Sequence, residues 1–241
     1  MQRHANQAQR YNHQNTPTVH THSIMVTVIP SESPPTREQE RILLQSITWE
    51  TFQGLIQELE TQPSKRLTYD NGNLEIWMPL PPHERYKKFF ARLVEVLTEE
   101  QEIEICSLGS CTWSRADLAK GVEADECYYI QNEPAIRGRM TIDLAIDPPP
   151  DLAIEVDMTS LSLPRLPIYG ALGIPEIWRY DGARSQILVW QIDEYQPVER
   201  SICLPIVTPG VLDNFLAQVL TMGETSWVKS IRTWVRTDGK P

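Results

Sequence analysis

Three carboxylates fall on one side of a short stretch in the second half of the chain. In Pro149-Pro150-Asp151-Leu152-Ala153-Ile154-Glu155-Val156-Asp157, apolar residues alternate with acidic ones, which is the period of a strand. Leu152, Ile154 and Val156 then face one way, and Asp151, Ala153, Glu155 and Asp157 the other. Like charges at this spacing repel and burial adds a desolvation cost, so the row calls for a positive partner. A divalent cation is one answer, and carboxylate-held cations do hydrolytic chemistry. The other answer is structural: Asp151 and Asp157 cap the two ends of the strand, leaving Glu155 alone to explain. In Glu123-Ala-Asp125-Glu-Cys127-Tyr-Tyr129-Ile the same period groups Asp125 with Cys127 and Tyr129, and with Glu123 nearer the strand's start. An acid among apolar neighbours needs a partner. A cation shared with Glu155 would supply it, and a capping role for Asp125 competes. His83 is the one histidine outside the N-terminal segment. It lies between a strand and a helix start, where free N–H groups favour anions; it is either functional or a cap.

The elements that must position these residues follow from pattern. The chain has 241 residues, 41% of them hydrophobic, enough for one domain plus extensions. Residues 1–36 are polar, without hydrophobic periodicity, and read as a disordered tail. Their scattered histidines, His4, His13, His20 and His22, do not form a metal-binding pattern, and Met25 offers a second translation start. Thr48 caps a helix through Trp49, Phe52 and Leu59. Asn71-Gly72 signals a hairpin. A long amphipathic helix runs from His83 to about Glu100. Strands over 103–113 and 122–130 are joined by a polar turn at Lys120-Gly121, and 131–150 is a loop. After the acidic strand, a short helix beginning near Pro164 ends at Gly173. A hairpin turns at Asp181-Gly182, a strand covers 198–204, and a helix covers 211–220. Trp227, Ile231 and Trp234 continue at helical spacing, in an extension that docks on the domain or mediates self-association. The expected organisation is a tail over 1–36, a domain over 46–220 and a helical extension over 221–241.

Composition narrows the function classes. The net charge of −10 removes the long-range attraction on which non-specific nucleic-acid binders rely, without excluding a local basic groove. Four cysteines without C-x-x-C spacing indicate neither a zinc site nor a disulfide framework. No apolar run suits a membrane span and no signal-peptide pattern opens the chain, so a cytoplasmic protein with no membrane partner is expected.

Three blocks carry a resemblance: Gly121-Val-Glu-Ala-Asp125, Pro150-Asp151-Leu-Ala-Ile-Glu155-Val, and Tyr169-Gly-Ala-Leu-Gly-Ile-Pro-Glu176-Ile-Trp178. From about Ser46 to Leu220 the chain resembles the Uma-two family of restriction-endonuclease-like proteins, common in cyanobacteria, a branch of the PD-(D/E)XK nuclease superfamily. The resemblance implies an α+β (α/β-like) fold, a mixed sheet flanked by helices. It implies a Mg²⁺- or Mn²⁺-dependent endonuclease acting on DNA, with Asp125 as first metal ligand and Glu155 as the acid of the second motif. Asp151 stands in the family's Pro-Asp doublet, as a further ligand. The superfamily lysine two residues after the acid is Asp157 here, and the family's alternative lysine position, four residues before the tyrosine, is Arg165. A guanidinium can stabilise a phosphate but stays protonated, so water activation falls to the metal or to Asp157. A homodimer would suit two-strand cleavage. Two other readings are a catalytically silent nuclease fold that binds a partner through its surface or its Trp227/Trp234 tail, and a glycosidase using Asp125 and Glu155 as acid and base.

Overall fold

The computed structural model describes residues 25–28, 41–59, 65–158 and 163–237. In chain order these form β1 (Met25–Val28), β2 (Arg41–Gln45), α1 (Trp49–Leu59), β3 (Arg66–Asp70), β4 (Asn73–Trp77), α2 (Pro81–Glu100), β5 (Cys106–Ser107), β6 (Cys111–Arg115), β7 (Lys120–Ala124) and β8 (Glu126–Tyr129). They continue with α3 (Glu133–Ile136), β9 (Leu152–Val156), α4 (Leu166–Ala171), β10 (Glu176–Tyr180), β11 (Ser185–Gln191), β12 (Glu194–Val198), α5 (Pro209–Gln218) and α6 (Glu224–Thr237). The fold is α+β, with strands in two sheets. One has the order β1-β2-β4-β3-β7-β6, and the other β12-β11-β10-β9-β8-β5. The first is antiparallel throughout. The second contains one parallel pair, β9 with β10, whose connection carries α4, as a parallel crossover requires.

Local signals account for most elements. The Thr48 hydroxyl accepts from the Thr51 amide at 3.2 Å and so caps α1. Asn71 and Gly72 both have positive φ (46° and 87°), the geometry of a two-residue hairpin turn. Pro81 starts α2, where its missing N–H costs no helical bond. Strand β9 is buried on both faces. Leu152, Ile154 and Val156 join a core with Phe89, Leu93 and Leu97 of α2 and Trp227 of α6, while Ala153 joins a second core with Cys127, Tyr169 and Ile177. Gly170 lets α4 lie flat on Trp190, since an added Cβ would come within 2.1 Å of the indole. Gly170→Ala is expected to destabilise by about 2 kcal/mol through overpacking, measured by urea unfolding.

Several expectations need correction. The stretch 122–130 is two strands: β7 belongs to the first sheet and β8 to the second, with Asp125 alone between them. Lys120 and Gly121 lie inside β7, and the turn before it is at Ala116–Leu118 and Ala119. The strand expected over 198–204 is instead β12, which ends at Val198. Backbone amides of Ile202 and Cys203 are drawn to the Glu176 carboxylate rather than to a ladder. Met25–Val28, inside the stretch read as disordered, pairs with β2 as an edge strand, while the rest of 1–36 lies outside the described residues. The C-terminal extension docks on the domain. Trp227 is fully buried and its Nε1 donates to the Phe215 carbonyl at 2.8 Å. Arg232 donates to Glu99 and Glu100 of α2, so Trp227 is not an exposed partner surface.

Candidate active site at the corner between the sheets

Two neighbouring strand paths pass from one sheet into the other at the same level. The chain leaves β5 for β6 through 108–110, and leaves β7 for β8 at Asp125 alone. Strands that change sheets make corners, and corner residues escape the ladder on both sides. The two paths are tied there by the Ser110 hydroxyl, 3.3 Å from the Asp125 carbonyl. Glu126 pairs with Ile154 and Cys127 with Ala153, so continuing this antiparallel register sets Asp125 opposite Glu155. One Asp125 oxygen, Oδ2, accepts from the Val156 amide at 2.8 Å and from His83 Nε2 at 3.0 Å. The other, Oδ1, is buried and has no hydrogen-bond partner among the described residues.

Glu155 is held from the helix side. Arg165, just before α4, donates from Nη1 to Oε2 at 2.6 Å, and the Tyr169 hydroxyl donates to Oε1. These two lie four residues apart, on one helical face. The opposite edge of the Arg165 guanidinium, Nε and Nη2, has no partner among the described residues although the side chain is only 4% exposed. Trp77, at the end of β4, forms a platform beneath the charges. The Arg165 guanidinium lies 4.9 Å and that of Arg41 5.2 Å from its ring centroid, and the His83 ring meets it edge-on at 5.2 Å. Arg41 pairs with Glu75 at 3.5 Å. Asp157, at the exit of β9, accepts from Arg179 at 2.7 Å through Oδ2, while its Oδ1 has no partner among the described residues.

The corner therefore brings together Asp125, Glu155, Arg165 and His83, with Asp157 two residues beyond Glu155. It does not use Asp151 in the same way. That carboxylate accepts from the amides of Ile130 and Asn132 at 2.6 and 2.9 Å and from the Asn132 side chain at 2.6 Å, so it fastens the start of the 131–150 loop. Four residues of strand, about 13 Å, separate it from Glu155. Trp77, Tyr169 and Arg41 were missed by sequence reasoning. Only Tyr169 left a signal, its i,i+4 spacing from Arg165.

A sequence model of the Uma2 family, described as "Putative restriction endonuclease", matches residues 49–211. The chain belongs to the Uma2 family. No curated protein matches it. Family membership places this Uma2 chain among restriction-endonuclease-like proteins, which suggests a nuclease. The matched stretch runs from α1 into the first turn of α5 and includes every residue of the corner except Arg41.

Restriction-endonuclease-like families generally use divalent metals, and the donor chemistry of this Uma2 corner suits one. Asp125 has a free buried oxygen and Glu155 lies opposite, both hard donors. Among the described residues no three His, Cys, Asp or Glu side chains form a ready-made cage, so water and substrate oxygens would complete the shell, as Mg²⁺ prefers. Electrostatics show how crowded the corner is. Burial pulls the His83 imidazole down, but its hydrogen bond to Asp125 and its attraction to the carboxylates of Asp125 and Glu84 prevail and lift it to about 9. His83 is thus a cation at neutral pH. The His83 imidazole, with Nδ1 3.3 Å from the carboxylate, holds Glu84 down at about 2. Burial drives Glu155 upward, Arg165 opposes this, and the neighbouring Asp125 adds to the rise. No described helix is long and apolar enough to cross a membrane.

Proposed function

We propose that this protein is a divalent-metal-dependent endonuclease that hydrolyses DNA phosphodiester bonds at the corner between its sheets. The observation that carries the reading is the buried, partnerless Oδ1 of Asp125 across the strand pair from Glu155. A buried carboxylate oxygen without a donor is costly, and a cation shared with Glu155 would relieve it. Asp125 and Glu155 would hold Mg²⁺ or Mn²⁺. When bound, that ion would neutralise charge developing on the phosphate and lower the pKa of a bound water.

The chain's own residues have separate tasks. His83, bonded to Oδ2, fixes the Asp125 carboxylate and leaves Oδ1 for the ligand. The free edge of Arg165 matches two oxygens of a phosphate. Asp157, with one unpartnered oxygen, is the candidate to accept a proton from the attacking water. Asp151 keeps the loop in place. The protein acts in the cytoplasm, and as a homodimer if it cuts both strands.

A silent nuclease fold is the second reading. It is favoured by Arg165 and Asp157 at the lysine positions and by internal cations that already balance Glu155 and Asp125. Nicking of supercoiled plasmid in Mg²⁺ or Mn²⁺ separates the two. Wild type is expected to nick at a rate at least about 100-fold above Glu155→Gln, the order of effect of losing a metal ligand. Equal rates for the two proteins would reject the nuclease reading and leave the silent fold.

A further inference from the structure

We propose that Arg165 competes with the metal for Glu155: it clasps the carboxylate when no cation is bound and passes to the substrate phosphate when one is. This rests on the reading of the corner as a metal-dependent nuclease site. Both oxygens of Glu155 are engaged, Oε2 by Arg165 Nη1 at 2.6 Å and Oε1 by the Tyr169 hydroxyl. A divalent ion shared by Asp125 and Glu155 needs at least one of those oxygens. Each oxygen keeps a second lone pair, but a guanidinium and a divalent ion on one carboxylate repel each other strongly, so the clasp weakens metal binding and the metal weakens the clasp.

The guanidinium has somewhere to go. Its Nε and Nη2 form one edge of the fork, and both are buried without acceptors among the described residues. That is an unusual state for a side chain with 4% exposure, because buried polar groups are nearly always paired. An oxyanion presenting two oxygens satisfies that edge bidentately. Stacking on Trp77 at 4.9 Å supports the group independently of Glu155, so releasing Glu155 does not set it loose. Metal and DNA binding are therefore coupled: the cation frees Arg165 from Glu155, and the freed charge meets the phosphate.

The test is Mn²⁺ binding alone, followed at pH 8 by loss of the free-ion paramagnetic resonance signal, with the full chain and no DNA. Arg165→Met is expected to bind Mn²⁺ roughly tenfold more tightly than wild type, and Tyr169→Phe more tightly by a smaller factor. A duplex offered with saturating Mn²⁺ under non-turnover conditions is expected to bind Arg165→Met roughly tenfold more weakly. If wild type binds Mn²⁺ and Arg165→Met binds it equally or less well, the competition is wrong while the metal site stands. If neither binds Mn²⁺, the metal-dependent reading falls with it. Thermal melting checks folding. Should Arg165→Met fail to fold, Tyr169→Phe decides, because it vacates Oε1 without changing charge; unchanged Mn²⁺ affinity in folded Tyr169→Phe would overturn the proposal.

Discussion

Metal-free protein is expected to lose about 3 kcal/mol of stability as pH rises from 6.5 to 9, and Asp125→Asn to lose most of that dependence. The cause is His83, buried at 4% exposure and lifted to about 9. A group whose folded pKa lies above its unfolded value stabilises fully below the unfolded value, and the contribution drains away as pH passes the folded one. At about 1.4 kcal/mol per tenfold change in proton affinity, the rise from 6.5 to about 9 corresponds to about 3 kcal/mol. Glu84 reports the same contact from the other side and is 41% exposed, so nothing is added for it. Other buried groups titrate elsewhere. Burial lifts Glu126 to about 7, and the folded state holds that proton longer, so its contribution is lost on rising from about 4.5 to 7. Cys111, pushed by burial to about 11, acts above the window. Urea unfolding at half-unit pH steps from 7 to 9.5 measures the effect. A flat wild-type profile, or an equal slope in Asp125→Asn, would show that the His83–Asp125 contact does not carry it.

Glu176→Ala is expected to cost about 4 kcal/mol, more than an average core truncation. Glu176 is fully buried at the start of β10. Its Oε1 accepts from Trp178 Nε1 at 2.6 Å and from the Ser201 hydroxyl at 2.6 Å, and its Oε2 from the amides of Ile202 and Cys203 at 2.7 and 3.1 Å. Alanine leaves four donors in the interior without an acceptor. Stranded donors cost about 1–3 kcal/mol each when nothing replaces the partner, and losing one member of a buried charged network costs about 3–5 kcal/mol in all. Water entering the gap keeps the sum near the lower values. Glu176→Gln retains an acceptor and is expected to lose about half as much. Urea midpoints at constant m-value give both numbers, and a loss under about 1 kcal/mol for Glu176→Ala would mean that the 199–204 loop finds other acceptors.

What was legible in the sequence was what local pattern encodes. Strand β9 was readable because its residues alternate and its ends are marked by Pro149-Pro150 and Asp157. The hairpins at Asn71-Gly72 and Asp181-Gly182 were readable because their turns use residues that tolerate the turn geometry. Asp181 adds its own acceptor to the amides of Ala183 and Arg184. The crossing at Asp125 was not readable, since a one-residue corner leaves the alternation on both sides intact. The β11–β12 turn hid for a different reason. It places Ile192 at φ 61°, a conformation that β-branched residues avoid, so nothing in the residue types announced it.

The candidate site was half visible. Carboxylates in register with apolar neighbours stood out, and Asp125 lies just before β8, where continuing its ladder with β9 sets it opposite Glu155. Which carboxylate performs structural work was not visible. Asp151 has the same alternation as Glu155, and only the three N–H donors around it set it apart. The clasp of Arg165 on Glu155 and the Trp77 platform depend on how α4 and β4 approach β9 in space. No spacing rule reports such contacts between distant segments.

A divalent cation at the corner would be held by Asp125 and Glu155. Calorimetric titration of wild type, Asp125→Ala and Glu155→Ala with Mg²⁺ and with Mn²⁺ tests it most directly. One site is expected in wild type and none in either variant, with all three proteins folded. No binding by wild type, or unchanged binding by both folded variants, would contradict it and make the carboxylate pair a structural charge cluster.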